Sequence, residues 1–262
     1  MAESTLSITY EDLQAEVGLF LHLGPDTSAW SARQAAQVDR IIQSGLRQFY
    51  YPPAMEGVEL GYKWSFMQPT ATLVTVASTD TYDLPEDYGS IAGQFQYQVD
   101  QTFLRGITEV SLGRMMELKQ QSDDENKPRV FATRSKNSDG SSGQRHEVIF
   151  WPTPNAAFTL TYRYDAYAGK IDKYNHPYPL GGMKFGETII EACLSVAEKR
   201  GNDEDGLHGR MFERMMAAAV ALDRRNYTQR YGQMGGNEDR STHTRDNRCH
   251  LSSVVSYKGD SW

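Results

Sequence analysis

The hydrophobic period of this 262-residue chain changes twice, and that constrains its fold more than any single motif. Near the N-terminus apolar residues recur at helical spacing. Through the middle they alternate one by one, and then helical spacing returns before a polar end. Leu13, Val17 and Leu21 repeat after a Thr9 N-cap with Asp12 at the third helical position. "HLGPD" stops that helix through Gly24 and Pro25. Ser31 opens a second one, in which Ala35, Val38, Ile41 or Ile42, Gly45 and Phe49 share a face until "YYPP" ends it at Pro52.

From Val58 to about Ala168 the runs "YKWSFM", "ATLVTVAS", "QFQYQV", "HEVIFW" and "FTLTYRYDAY" are β-branched, aromatic and alternating, which predicts strands. In the last run Phe158, Leu160, Tyr162 and Tyr164 point one way; Thr159, Thr161 and Arg163 point the other. "SLGRMMELKQQ" is a short helix-like interruption, and "SKNSDGSSGQ" is an exposed loop by composition. Helix returns near Lys184, with Phe185, Ile189, Ala192 (or Cys193) and Val196 on one stripe ended by Gly201. After "NDEDG", Leu207, Met211, Met215, Ala218 (or Ala219) and Leu222 make another, running to about Tyr231. Beyond Gly232 the period is lost, and the composition is that of a tail.

Each helical part is too small to bury its own stripe. The economical solution is an α+β fold: a four-helix bundle from the N- and C-terminal segments, an inserted antiparallel β-rich lobe, and an extended C-terminal tail. The corresponding boundaries are 1–57 for the first helical part and 58–168 for the β-rich lobe. The second helical part, packing with the first, is 169–231, and the partner-binding tail is 232–262. Strands and helices are segregated, which excludes a doubly wound α/β enzyme.

A formal net charge of −7 exerts no global pull on nucleic acid, so any DNA contact has to be local. Cys193 and Cys249 are the only cysteines, too few for a disulfide framework or a four-cysteine zinc site, as expected of a chain made in a reducing cytoplasm. "MAESTLSITYEDL" lacks the basic and apolar regions of a signal peptide, and "MMAAAVAL" is too short to span a bilayer. The six histidines are scattered, and the adjacent pair Cys249–His250 lacks further ligands at metal spacing. Phosphate-loop, dinucleotide, nucleophile-elbow and zincin motifs do not occur. No cofactor and no metal is expected.

One stretch invites a catalytic reading. "STDTYDLPEDYGSI" places Asp80, Asp83, Glu86 and Asp87 within eight positions, and paired carboxylates drive glycosidases and metal-dependent hydrolases. Yet Pro85 forces Leu84 extended and cannot donate to a ladder, and acids after a proline commonly sit in a solvated turn. Catalytic carboxyls need partners in contrasting environments across a cleft. A strand end followed by a turn is the expectation.

The same corner resembles a segment of the head-to-tail adaptor (connector) proteins of tailed phages, of the short-tailed type. There a strand bearing Trp or Phe leads to a "Y-x-L-P-x-D" corner and then to a strand ending in an aromatic. The matching positions are Trp64, Phe66, Leu73, Tyr82, Leu84, Pro85, Asp87, Phe95 and Tyr97. The resemblance implies a non-catalytic virion protein of the neck, forming a ring of twelve copies beneath the portal protein. Such a ring prolongs the DNA channel, lets DNA pass without specific binding, and offers a platform to tail nozzle or tail-tube proteins and tail fibres. It also implies contact with the portal partly through the helical lobe and partly through a C-terminal extension, a segment that in this chain could equally meet a neighbouring subunit. In this chain Arg240, Arg245, Arg248, Leu251, Val254, Val255, Tyr257 and Trp262 are the candidate binding residues of that tail. Two rivals of other classes are a tail-associated carbohydrate-active or peptidoglycan-cleaving enzyme and a β-sandwich binding module on a helical stalk.

Overall fold

Thr9 and Asp12 start the first helix by mutual capping. The Asp12 carboxylate accepts from the Thr9 N–H at 2.8 Å and the Thr9 hydroxyl accepts from the Asp12 N–H at 3.2 Å. The second helix opens in the same way, through Ser31 and Gln34. The computed structural model describes residues 4–98, 106–137, 140, 143–202, 206–225, 256–257 and 260–261. The chain divides into two compact units, Met1–Arg224 and Arg225–Trp262.

Among the described residues the helices are α1 (Tyr10–Phe20), α2 (Ala32–Tyr50), α3 (Leu112–Gln121), α4 (Gly186–Asn202) and α5 (Leu207–Arg224). α4 is the common partner: α1, α2 and α5 each pack against it. Val38, Ile41, Ile42, Gly45, Leu46 and Phe49 form the buried face of α2, and they meet Ile189, Ala192, Cys193, Val196 and Ala197 of α4 in one core. The α5 stripe is turned by one residue from its expected place. Phe212, Met216, Ala219, Val220 and Asp223 are buried, while Leu207 is 63% exposed and Met211 also faces solvent. Arg210, Glu213 and Arg214 mark the exposed face of α5, but apolar residues stand on both flanks of the buried stripe, so packing on α4 sets its exact register.

The strands of the first unit are β1 (Thr70–Val74), β2 (Thr81–Asp83), β3 (Tyr88–Ile91), β4 (Gln96–Tyr97), β5 (Thr108–Glu109), β6 (Glu125–Asn126), β7 (Val130–Ser135), β8 (His146–Trp151), β9 (Thr153–Pro154) and β10 (Thr159–Ala166). One sheet has the order β1-β10-β3, with β4 also on β10; another runs β2-β8-β7-β5. A single core lies between these sheets. Leu73, Leu160, Tyr162 and Tyr164 come from the first, and Phe131, Val148 and Phe150 from the second. Alternation then sends Ala132 and Ile149 to the opposite face of the second sheet, where Met115 of α3 covers them. That is why "HEVIFW" reads as a continuous apolar run: β8 is buried on both faces. It is also why a helix interrupts the β region.

The expected fold class needs correction in two respects. The helices do not make a four-helix bundle, because α1 has only 11 residues and covers part of α4. The remaining cover comes from non-helical chain, including Trp64, Met67 and Ile171. Nor is the β region wholly antiparallel, since β5 pairs parallel with β7 and β6 parallel with β9. The described residues form five α-helices and mixed sheets. "YKWSFM" is also not a strand. Ser65–Met67 is a 3-10 turn that carries Trp64 into the helical core, where its indole N–H donates to the Phe49 carbonyl at 3.1 Å. Aromatic content drove the strand expectation, and a core with Phe49 stacked 4.8 Å from Trp64 uses those rings equally well.

In the second unit, β11 (Ser256–Tyr257) pairs antiparallel with β12 (Asp260–Ser261).

Candidate functional site: the acidic corner and the surface around Tyr51

β2 ends at Asp83 in one sheet and β3 begins at Tyr88 in the other, so the acidic corner is the crossing between sheets. Leu84 is buried in the shared core, its N–H donates to the His146 carbonyl at 3.0 Å, and the Tyr88 N–H closes the turn on the Pro85 carbonyl at 3.1 Å. The Tyr82 hydroxyl donates to the Thr79 carbonyl at 2.6 Å and accepts from the Val76 N–H at 2.9 Å, fastening the turn before β2.

Each carboxylate of the corner has its own donor from a different place. Asp80 pairs with Lys119 of α3. Asp83 accepts from Lys136, just after β7, at 2.7 and 2.9 Å. Glu86 accepts from Arg145 at 2.9 Å, and Asp87 from the Tyr164 hydroxyl of β10 at 3.0 Å. Burial pushes the Asp80 carboxyl up, but Lys119 and Thr81 outweigh it and hold the group below the usual carboxylate range. The four acids are thus separate pins, and Glu86 is 83% exposed. The arrangement fastens loops; it does not gather carboxyls around a substrate.

One polar group escaped sequence reasoning. Asp223 is fully buried on α5 and accepts from the Ser65 N–H at 3.0 Å, the Ser65 hydroxyl at 2.5 Å and the Tyr62 hydroxyl at 2.8 Å. It ties the end of α5 to the 3-10 turn. The only signal for it in the sequence is an acid in an otherwise apolar helix face.

Three hollows share Tyr51, just past the end of α2. Hollows of about 510 and 550 Å³ meet at Arg47 and Tyr51. A third, of about 470 Å³ and more apolar, runs from Tyr51 past Pro53, Leu60 and Tyr167. The first is lined by Arg40, Arg47, Lys170 and Arg200, with Asp39 the acid among them. Asp39 is already engaged by Lys170 at 2.9 Å and Tyr10 at 2.8 Å.

Of the candidate tail residues, Arg240, Arg245, Arg248, Leu251, Val254, Val255 and Trp262 lie outside the described residues. Tyr257 lies in β11, opposite Asp260. Among the described residues no group of three or more His, Cys, Asp or Glu side chains could hold a metal, and no helix is long and apolar enough to cross a membrane.

The corner is thus a set of loops pinned by polar contacts, and the surface around Tyr51 is lined by arginines and tyrosines. A family model described as SU10 adaptor protein matches residues 8–239, and the chain belongs to that family. It is a phage adaptor family, which makes the chain a structural component of the virion neck. No curated protein matches the sequence.

Proposed function

We propose that this chain is the ring-forming head-to-tail adaptor of a short-tailed phage. It docks beneath the portal, extends the DNA channel and provides the attachment platform for tail proteins. The observation that carries this reading is the adaptor-family match, which spans the helical core, the β region and the start of the tail. The acidic balance of −7 supports a channel through which DNA slides, because each neutralised phosphate adds salt-dependent affinity. The free chain is accordingly expected to show no tight binding of double-stranded DNA at physiological salt.

In this reading the segment after Gly232 is the anchor. Leu251, Val254, Val255, Tyr257 and Trp262 supply apolar contacts that order on a partner, and Arg240, Arg245 and Arg248 steer it to an acidic surface. Ordering such a segment costs roughly 2–5 kcal/mol, so docking is favoured where a preassembled portal ring offers many sites at once. Deleting residues from Gly235 onward tests the anchor. Circular dichroism should show an unchanged body, and portal-bearing capsids should no longer retain the protein. Full occupancy by the truncated chain would remove the tail from this role.

A further inference from the structure

We propose that the basic groove beside Tyr51 receives the acidic end of α3 from a second copy of this chain. The proposal deepens the ring-forming reading and rests on it. Arg40 and Arg47 are two helical turns apart on α2, and Arg200 lies near the end of α4; all three are exposed around one hollow of about 510 Å³. Among the described residues none of the three makes an ion pair. Arg47 and Arg200 sit in the last turns of α2 and α4, where a cation is favoured, yet the three charges still make a locally basic patch on a chain whose net charge is −7. At the lip, Tyr51 and Tyr167 are 43% and 56% exposed with ring centroids 6.0 Å apart. Tyrosine and arginine are the side chains that dominate protein interfaces.

The complementary surface lies on α3 and the turn after it. Met115 points into the body while its neighbour Met116 is 52% exposed. Glu117 shares that helix, and Asp123, Asp124 and Glu125 follow it, all exposed. The last three make no ion pair among the described residues. A methionine flanked by acids matches tyrosines flanked by arginines. No residue of α3 lines these three hollows, so the pairing is between two copies. Two different surfaces meeting head to tail form a heterologous contact, the kind that closes rings. Nucleic acid phosphates also suit arginine, but the groove continues into the apolar hollow past Pro53 and Leu60, which a phosphate backbone would leave empty.

The test is disulfide trapping in the full-length chain with Cys249→Ser; Cys193 is buried and stays. One preparation carries Arg47→Cys and another Asp124→Cys. Oxidising the mixture should give a cross-linked dimer that neither preparation gives alone, and a chain with both changes should give a ladder beyond the dimer. High salt should lower the yield several-fold. Arg40→Glu with Arg47→Glu should reduce association by about tenfold or more, and adding Asp123→Lys with Asp124→Lys should restore it. A mixture that cross-links no better than the single preparations overturns the contact. So does retention of a short DNA duplex through Arg40 and Arg47 at physiological salt. Sedimentation of the wild-type chain, alone and with portal rings, reads the parent proposal separately. Rings without the cross-link leave the ring reading standing and discard this contact, whereas a monomer under all conditions discards both.

Discussion

Gly45 of α2 faces the backbone of Cys193 in α4 so closely that a methyl group at Gly45 would stand 2.7 Å from the Cys193 Cα and 2.8 Å from its N and Sγ. The two longest buried stripes of the helical core meet at this point, and the neighbour is main chain, which cannot step aside. Gly45→Ala should therefore destabilise the protein by about 1–3 kcal/mol despite the better helix propensity of alanine. At this size that lowers Tm by roughly 2–4 °C per kcal/mol. Gly113→Ala, on α3, meets nothing within 4 Å and should be neutral or stabilise by up to about 1 kcal/mol. Paired denaturation curves check both.

The corner separates packing from charge. Leu84→Asp places an unpaired carboxylate in the core between the sheets and should cost about 3 kcal/mol or more. Changing Asp83, Glu86 and Asp87 together to Asn or Gln removes exposed or half-exposed pairs, each worth about 0–1 kcal/mol. Thermal unfolding should move little, and assembly should be near normal. Intact assembly with lost infectivity would point to a site at the corner.

Asp223→Ala removes the carboxylate that accepts from the Ser65 N–H and hydroxyl and from the Tyr62 hydroxyl in a partly buried place. Hydrogen bonds to charged groups contribute about 1.5–3 kcal/mol each, so a loss of roughly 3 kcal/mol is expected. Trp64 precedes Ser65, and its fluorescence should change before global unfolding.

Asp80 and Asp39, both partly buried, contribute to the acid limb of stability. Burial works against the charged forms of Asp80 and Asp39, but Lys119 with Thr81, and Lys170 with Tyr10 and Gln43, leave both pKa values below the ordinary 3.8. A group lowered on folding stabilises above its unfolded value and loses that contribution as pH falls through the folded one. The fall should begin near pH 4 and continue below it. It should be shallower in Asp80→Asn, as read by denaturation midpoints across that range.

Tyrosine titration should show the opposite limb. Burial, reinforced by neighbouring tyrosines and carboxylates, pushes Tyr88, Tyr162 and Tyr164 up to about 12. A group raised on folding contributes stability that is complete below its ordinary value of 10.0 and is lost as pH rises toward about 12. In ultraviolet titration of native protein these three should ionise about two units late, and unfolding in denaturant should bring them back.

Much of this was legible because it is local. Thr9 with Asp12 and Ser31 with Gln34 are interactions across three residues, so their residue types announce the helix starts. The alternation of Phe158, Leu160, Tyr162 and Tyr164 needs only a pleated strand with one face covered, and all four are buried. Leu84–Pro85 dictates an extended residue and then a break, whatever lies around it.

What no window of sequence contains is the partner surface. The amino-acid order alone determined where helices begin, where strands alternate and where the chain must turn, since these depend on neighbours a few positions away. Only the tertiary structure decided that Met216 and not Met215 is fully buried in α5, that Trp64 joins the helical core rather than a strand, and that Asp223 has three donors waiting inside. The tertiary structure also decided that α1, α2 and α5 gather around α4 instead of forming a bundle, and that β5 runs parallel to β7. An apolar residue is stabilised by burial against any surface that excludes water, and so its identity shows that it will be covered but not by what.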